Sequence, residues 1–142
     1  MDASLTFLAV LGEIGRARAF LRERAAAFPF SEEDLFRIEL AVTEVLINIV
    51  RYAYPAAPGD MTLRVWDEAG VLHVECSDRG RPFDPRQFPD PSLENMTSGE
   101  RKGGLGVYLA RRLSDGFDYR REDGRNVVTI SKRIPVRGPT DQ

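Results

Sequence analysis

The stretch from Ser31 to Tyr54 constrains this chain more than any other. Positions 35, 36, 38, 40, 42, 45, 46, 47, 49 and 50 are apolar, and no glycine or proline interrupts them. This reads as one long helix whose C-terminal half is hydrophobic on most sides. Ser31 is placed to cap its start, with Asp34 three residues on as a weaker form of the capping-box acid. Phe30 and Leu35 occupy the two hydrophobic-staple positions. Pro55 and Pro58-Gly59 stop it, so the helix is expected to run to about Tyr54. One polar stripe survives, at Arg37, Glu44, Asn48 and Arg51, with Glu44 and Asn48 one turn apart on the same face.

The remaining elements arrange themselves around that helix. Residues 4–11 are apolar enough for a first strand, ended by Gly12, and Arg16 to Phe28 reads as a helix joined through Pro29 to the next. Met61–Trp66 and Val71–Ser77 form a hairpin turned at Ala69-Gly70. From Arg79 to Gly104 the chain carries Pro82, Pro85, Pro89, Pro91 and Gly99 with few apolar residues, a long loop of the kind that is usually functional or mobile. A short helix over Leu105–Leu113 follows. Gly116–Arg121 and Asn126–Arg133 make a second hairpin at Asp123-Gly124. The tail 135–142 is expected to fray. The order predicts a single domain over 1–142, an α+β two-layer sandwich with a mixed or antiparallel sheet and helices on one face.

Composition excludes several classes. A formal net charge of −2 argues against direct nucleic-acid binding. Charges interrupt every apolar stretch well before the roughly 18 residues a membrane helix needs, and Met1-Asp2-Ala3-Ser4 lacks the basic start of a signal peptide. The one cysteine, Cys76, sits in a strand-like run and reads as a buried thiol of a reducing cytoplasm. Arginine is concentrated from Arg111 to Arg137 and acid from Glu32 to Glu75, which gives either a surface for a protein partner or simply solvated faces.

Three patterns carry chemistry. On the long helix, Asn48 offers a neutral oxygen to a hard cation, and Glu44 is placed to take a proton from an attacking hydroxyl or water. A solvated helix edge would look the same. Asp78-x-Gly80 ends a strand with a carboxylate beside a point where backbone can come close to a ligand. A carboxylate only accepts, so it suits the exocyclic amino group of adenine and not the carbonyl of guanine; a plain turn is the alternative. Pro82-Phe83-Asp84-Pro85 then stiffens the chain around an aromatic able to wall a pocket. Gly103-Gly104-x-Gly106 opens a helix, where free N–H groups bind phosphate, with Arg101 and Lys102 adding positive charge just before. The spacing is neither a Walker loop nor a strand-linked Rossmann fingerprint, and a flexible linker is its alternative.

Taken in order, these stretches resemble the GHKL ATP-binding superfamily of gyrase B and histidine kinases, and most of all its bacterial anti-sigma-factor serine/threonine kinases, the switch-protein kinases. The resemblance runs from about Leu5 to Ile134. Glu39 through Tyr54 is similar to that family's N box, Asp78 through Pro85 to its G1 box, and Gly103 through Leu109 to its G2 box. Asn126-Val127-Val128-Thr129 resembles its last strand. The resemblance implies a Bergerat-type ATP-binding fold with a mixed sheet, ATP and Mg2+ as cofactors, and residues 86–102 as a lid over the phosphates. It implies Glu44 as base or hydroxyl-orienting group and Asn48 as the metal ligand. Arg51, Asp78, Gly80, Phe83, Gly103, Gly104, Leu105, Gly106 and either Arg101 or Lys102 would line the nucleotide site, with the Thr129 hydroxyl joining the adenine network. The implied partners are a sigma factor and a STAS-domain anti-sigma-factor antagonist, and the implied assembly is a cytoplasmic homodimer. One departure stands out: Tyr52 occupies a position where this branch commonly has histidine.

Other classes remain to be weighed. A partner-switch protein that binds nucleotide without transferring phosphate would keep the same boxes, though an intact Glu44 and Asn48 argue against it. A histidine kinase would need a phosphoacceptor, and the only histidine, His73, lies in an expected strand.

Overall fold

The Ser31 side chain accepts the Asp34 N–H at 3.0 Å and starts α2, Glu32–Tyr52, with three acids in its first turn facing the positive end of its dipole. The helix stops two residues short of the expected Tyr54. A residue preceding proline is disfavoured in the helical region, which removes Tyr54. Arg81 then takes the freed carbonyls: its Nε–H donates to Tyr52 O at 2.7 Å and its backbone N–H to Ala53 O at 2.9 Å.

The computed structural model describes residues 2–87 and 104–136, with side chains from Gly106 onward in the second stretch. Expectations for the lid beyond Gln87, for Arg101, Lys102 and Gly103, for the side chain of Leu105 and for the tail beyond Val136 lie outside the described residues. The described residues form five strands: β1 Asp2–Leu8, β2 Asp60–Glu68, β3 Val71–Asp78, β4 Gly116–Glu122 and β5 Arg125–Arg133. Among the described residues the other α-helices are α1, Ile14–Ala25, and α3, Gly104–Leu113. The strand order is β1-β2-β3-β5-β4, and all four pairings are antiparallel, which decides against a mixed sheet. β4 lies on the far edge with β5 between it and β3, so β3 and β4 run the same way with α3 in the connection between them.

The other element limits shift for visible reasons. Both hairpins turn where expected, with Ala69 and Asp123 at positive φ and glycine after each. β1 begins at Asp2, whose carboxylate forms a two-pronged pair with Arg64 (2.7 and 3.0 Å), and it ends at Leu8 because Ala9 N–H leaves for Gly59 O. α1 is anchored to α2 by Arg18 and Arg22, which both bind the Glu39 carboxylate at 3.0 Å.

The register divides the sheet into two faces. Leu5, Leu63, Cys76, Val128 and Tyr119 form one cross-strand row on the helix side, and Ala3, Val65, Val74, Ile130 and Phe117 form the next. Both rows pack beneath Leu21, Val42, Val45, Leu46 and Ile49 of α1 and α2. Full burial of each such side chain contributes about 1.5–3 kcal/mol. The third helix-side row reads Phe7, Met61, Asp78, Asn126 and Arg121, so the apolar floor turns polar at its end.

Candidate functional site

The polar end of the floor lies under the C-terminal half of α2. Val45, Asn48 and Ile49 of α2, Asp78 of β3, Phe83 and Pro85 of the following segment, and Asn126 and Val128 of β5 line one pocket. Strand alternation puts Asp78 there, since residues 74, 76 and 78 share the helix side. The helix repeat puts Asn48 there, one turn after Glu44.

Asp78 is 4% exposed. Its Oδ1 accepts the Gly80 N–H at 2.8 Å and an Asn126 Nδ2–H at 2.9 Å. Burial pushes its carboxyl above the ordinary range, and those two donors offset part of the rise. Asn48 is equally buried, and its Nδ2 has no hydrogen-bond partner among the described residues. An orphaned amide in a buried position is costly unless something else completes it. Glu44 is half-buried and meets α3 where Gly106 passes it: a Cβ at position 106 would overlap Oε2 and lie 3.3 Å from Cδ. The missing side chain therefore leaves room for the Glu44 carboxylate. Arg51 is exposed, on the same stripe in the last turn.

Gly80 serves a purpose different from the one its motif suggests. A Cβ there would stand 2.6 Å from the Ala53 carbonyl carbon. The close approach is therefore to the end of α2, and with the two Arg81 bonds it fixes Asp78 relative to Asn48. Phe83 does wall the pocket, and its ring stacks on Tyr52 with centroids 5.1 Å apart and planes 16° from parallel. Tyr52, at the histidine position of the resembled branch, thus supports the pocket wall.

Thr129 must be corrected. It faces the opposite side of the sheet, opposite Glu75 and Asp118, among Arg64, Trp66 and His73. Alternation puts Asn126, three residues earlier, in the place intended for it. The sequence reading missed Asn126 and Tyr119, whose hydroxyl donates to Asn126 Oδ1 at 2.7 Å. Counting by twos back from the apolar Val128 and Ile130 would have found the first.

Among the described residues the donor set accommodates a divalent cation in one way. Among the described residues no three His, Cys, Asp or Glu side chains converge as a metal site. A single amide oxygen at Asn48 fits an ion that arrives with phosphate oxygens and water as its other ligands, as magnesium commonly does.

Comparison with known proteins identifies the family. Residues 7–132 match the family described as histidine kinase-like ATPase domain. The chain is 33% identical over 97 residues to the serine/threonine-protein kinase BtrW of Bordetella bronchiseptica, covering 68% of each chain. It is 28% identical over 124 residues to the serine-protein kinase RsbW of Bacillus licheniformis, covering 83% of this chain and 75% of that one. In structure it resembles the RsbU and RsbW domains of Rv1364c from Mycobacterium tuberculosis, with a TM-score of 0.67 at 20% identity. That likeness spans 99% of this chain and 35% of the other. The chain belongs to the histidine kinase-like ATPase family, in its branch of anti-sigma-factor serine/threonine kinases. BtrW and RsbW are named relatives within that branch, and the matched residues 7–132 include every residue that lines the pocket.

Proposed function

We propose that this protein is an anti-sigma factor and an ATP-dependent protein serine/threonine kinase. In this reading it binds Mg-ATP, sequesters a sigma factor, and phosphorylates a serine or threonine of a STAS-domain antagonist. It does so as a homodimer in the cytoplasm. The observation that carries the reading is the buried, orphaned Asn48 amide, which shares a pocket with buried Asp78 one turn from Glu44. A fold with no ligand to bind has no reason to keep two such groups together under its main helix. The relatives named as serine kinases supply the reaction class.

Each residue has a task. Asp78, with Oδ1 occupied by internal donors, presents Oδ2 to an exocyclic amino group. Phe83, Val45, Ile49 and Val128 give the pocket an apolar lining against which a flat base would pack. Asn48 would hold magnesium through its oxygen, and that ion when bound supplies charge neutralisation for the phosphates. Glu44, kept clear by Gly106, orients the incoming hydroxyl and accepts its proton. Positioning and electrostatics supply most of the catalysis in phosphoryl transfer. Gly103, Gly104 and Gly106, with Arg101 or Lys102, are proposed to hold the phosphates.

The test uses γ-labelled ATP with a candidate STAS protein encoded beside this gene. Acid-stable label on serine or threonine of the partner is expected. Glu44→Gln should keep ATP binding and slow transfer by about 10²–10⁴-fold. Acid-labile label on this chain would instead mark a histidine kinase. ATP binding without transfer to any cognate antagonist would leave only nucleotide-gated sequestration.

A further inference from the structure

The amide of Asn126 is the most heavily used side chain in the site. Its Nδ2 donates to Asp78 Oδ1 at 2.9 Å and to Arg81 O at 2.7 Å. Its Oδ1 accepts the Phe83 N–H at 3.1 Å and the Tyr119 hydroxyl at 2.7 Å. Two protons and two lone pairs are all an asparagine amide has, so every valence is spent. Only one orientation of the amide serves, because the carboxylate and carbonyl need its NH2 and the two donors need its oxygen. The residue is 4% exposed, so no water replaces a lost bond cheaply. No other residue type supplies two donors and two acceptors from so short a side chain.

We propose that Asn126 is the positioning residue of the base pocket: one amide fixes the rotamer of Asp78 and, at the same time, clamps the Arg81–Phe83 backbone that walls the pocket. This rests on the reading of Asp78 as the base-recognising group. Asp78 Oδ1 receives two donors, one of them from Asn126, and with that oxygen engaged Oδ2 is the acceptor left to read the base. Without the amide, Asp78 keeps only the Gly80 N–H, and the carboxylate can rotate. The Phe83 N–H and Arg81 O lose their partner at the same moment. Tyr119 on the edge strand β4 completes the clamp, so base selection depends on a residue that lines no part of the pocket. A threonine or serine at 126 offers one hydroxyl and could keep the Asp78 bond or the clamp on residues 81–83, not both.

The experiment compares ATP with inosine triphosphate, which carries a carbonyl where adenine carries its amino group. Calorimetry on the full chain gives an affinity ratio that general destabilisation does not move. The parent should prefer ATP. Asn126→Ala should cut that preference by about tenfold or more while changing inosine triphosphate affinity little, since one charge-assisted hydrogen bond is worth about that ratio. Tyr119→Phe removes a single donor and should cut the preference by a smaller factor, and Asn126→Thr should fall between the two. Should Asn126→Ala fail to fold, Tyr119→Phe and Asn126→Thr carry the test. An unchanged ratio in the folded variants, or equal loss of both nucleotides, overturns the positioning role while leaving Asp78 as base reader. A parent that binds both nucleotides alike overturns the role of Asp78 and this inference with it.

Discussion

At the scale of single residues, burial and function pull in opposite directions. Asp78 is held out of water with its acidity weakened by burial. An acid whose folded pKa lies above its unfolded value binds more protons when folded. Stability is then lost as pH rises from the ordinary value of 3.8 through the raised folded pKa. Asp78→Asn removes the charge and keeps an acceptor for Gly80 and Asn126. The ligand-free variant should therefore melt at or above the parent temperature at pH 7–8, while its ATP affinity falls by about 1.5–3 kcal/mol. A variant that melts well below the parent would show the carboxylate to be structural. Cys76 makes the complementary case. Burial raises its thiol far above the ordinary range, so it should resist a thiol-modifying reagent until the chain unfolds.

At the scale of elements, the positions of helices and hairpins were legible because their signals are local. Ser31, Pro55, Ala69-Gly70 and Asp123-Gly124 act on their own neighbours and mark ends wherever the chain goes. The boundaries that moved involve contacts distant in sequence as well as local ones: Arg81 caps the end of α2 that Pro55 shortens, and Asp2 reaches Arg64. The site was legible to the same degree. Asp78 and Asn48 belong to periodic patterns, whereas Thr129 was misplaced because a motif was matched without counting strand alternation. Tyr119 and Asn126 meet only once β4 and β5 pair. Glycine roles also emerge only between elements. Gly80→Ala meets backbone that cannot yield, and it should lower stability by about 1–3 kcal/mol in urea unfolding. Gly106→Ala meets the movable end of Glu44, so it should leave the urea midpoint nearly unchanged and slow phosphoryl transfer instead. Equal effects of the two substitutions on stability would contradict this division.

At the scale of the whole molecule, the site joins parts that are far apart in the chain. Glu44 and Asn48 come from the central helix, Asp78 to Pro85 from the end of a middle strand, and Asn126 from the strand beside it. The antiparallel sheet brings them together only when β5 inserts between β3 and β4, a pairing of segments far apart in the chain. A ligand bridging them therefore binds the native chain and has no counterpart in the unfolded one, so its binding energy adds to global stability. With ATP and magnesium at about one hundred times Kd, the gain should be about 2.7 kcal/mol, which for a domain of this size raises Tm by roughly 5–10 °C. The shift should grow with the logarithm of nucleotide concentration and shrink sharply in Asp78→Asn, whose unliganded melting temperature is not expected to fall. Asn48→Ala relieves a buried orphan, so it should not melt earlier without ligand, and it should lose the part of the shift that depends on magnesium. A thermal scan in which ATP stabilises both variants as much as the parent would place the nucleotide elsewhere than under the central helix.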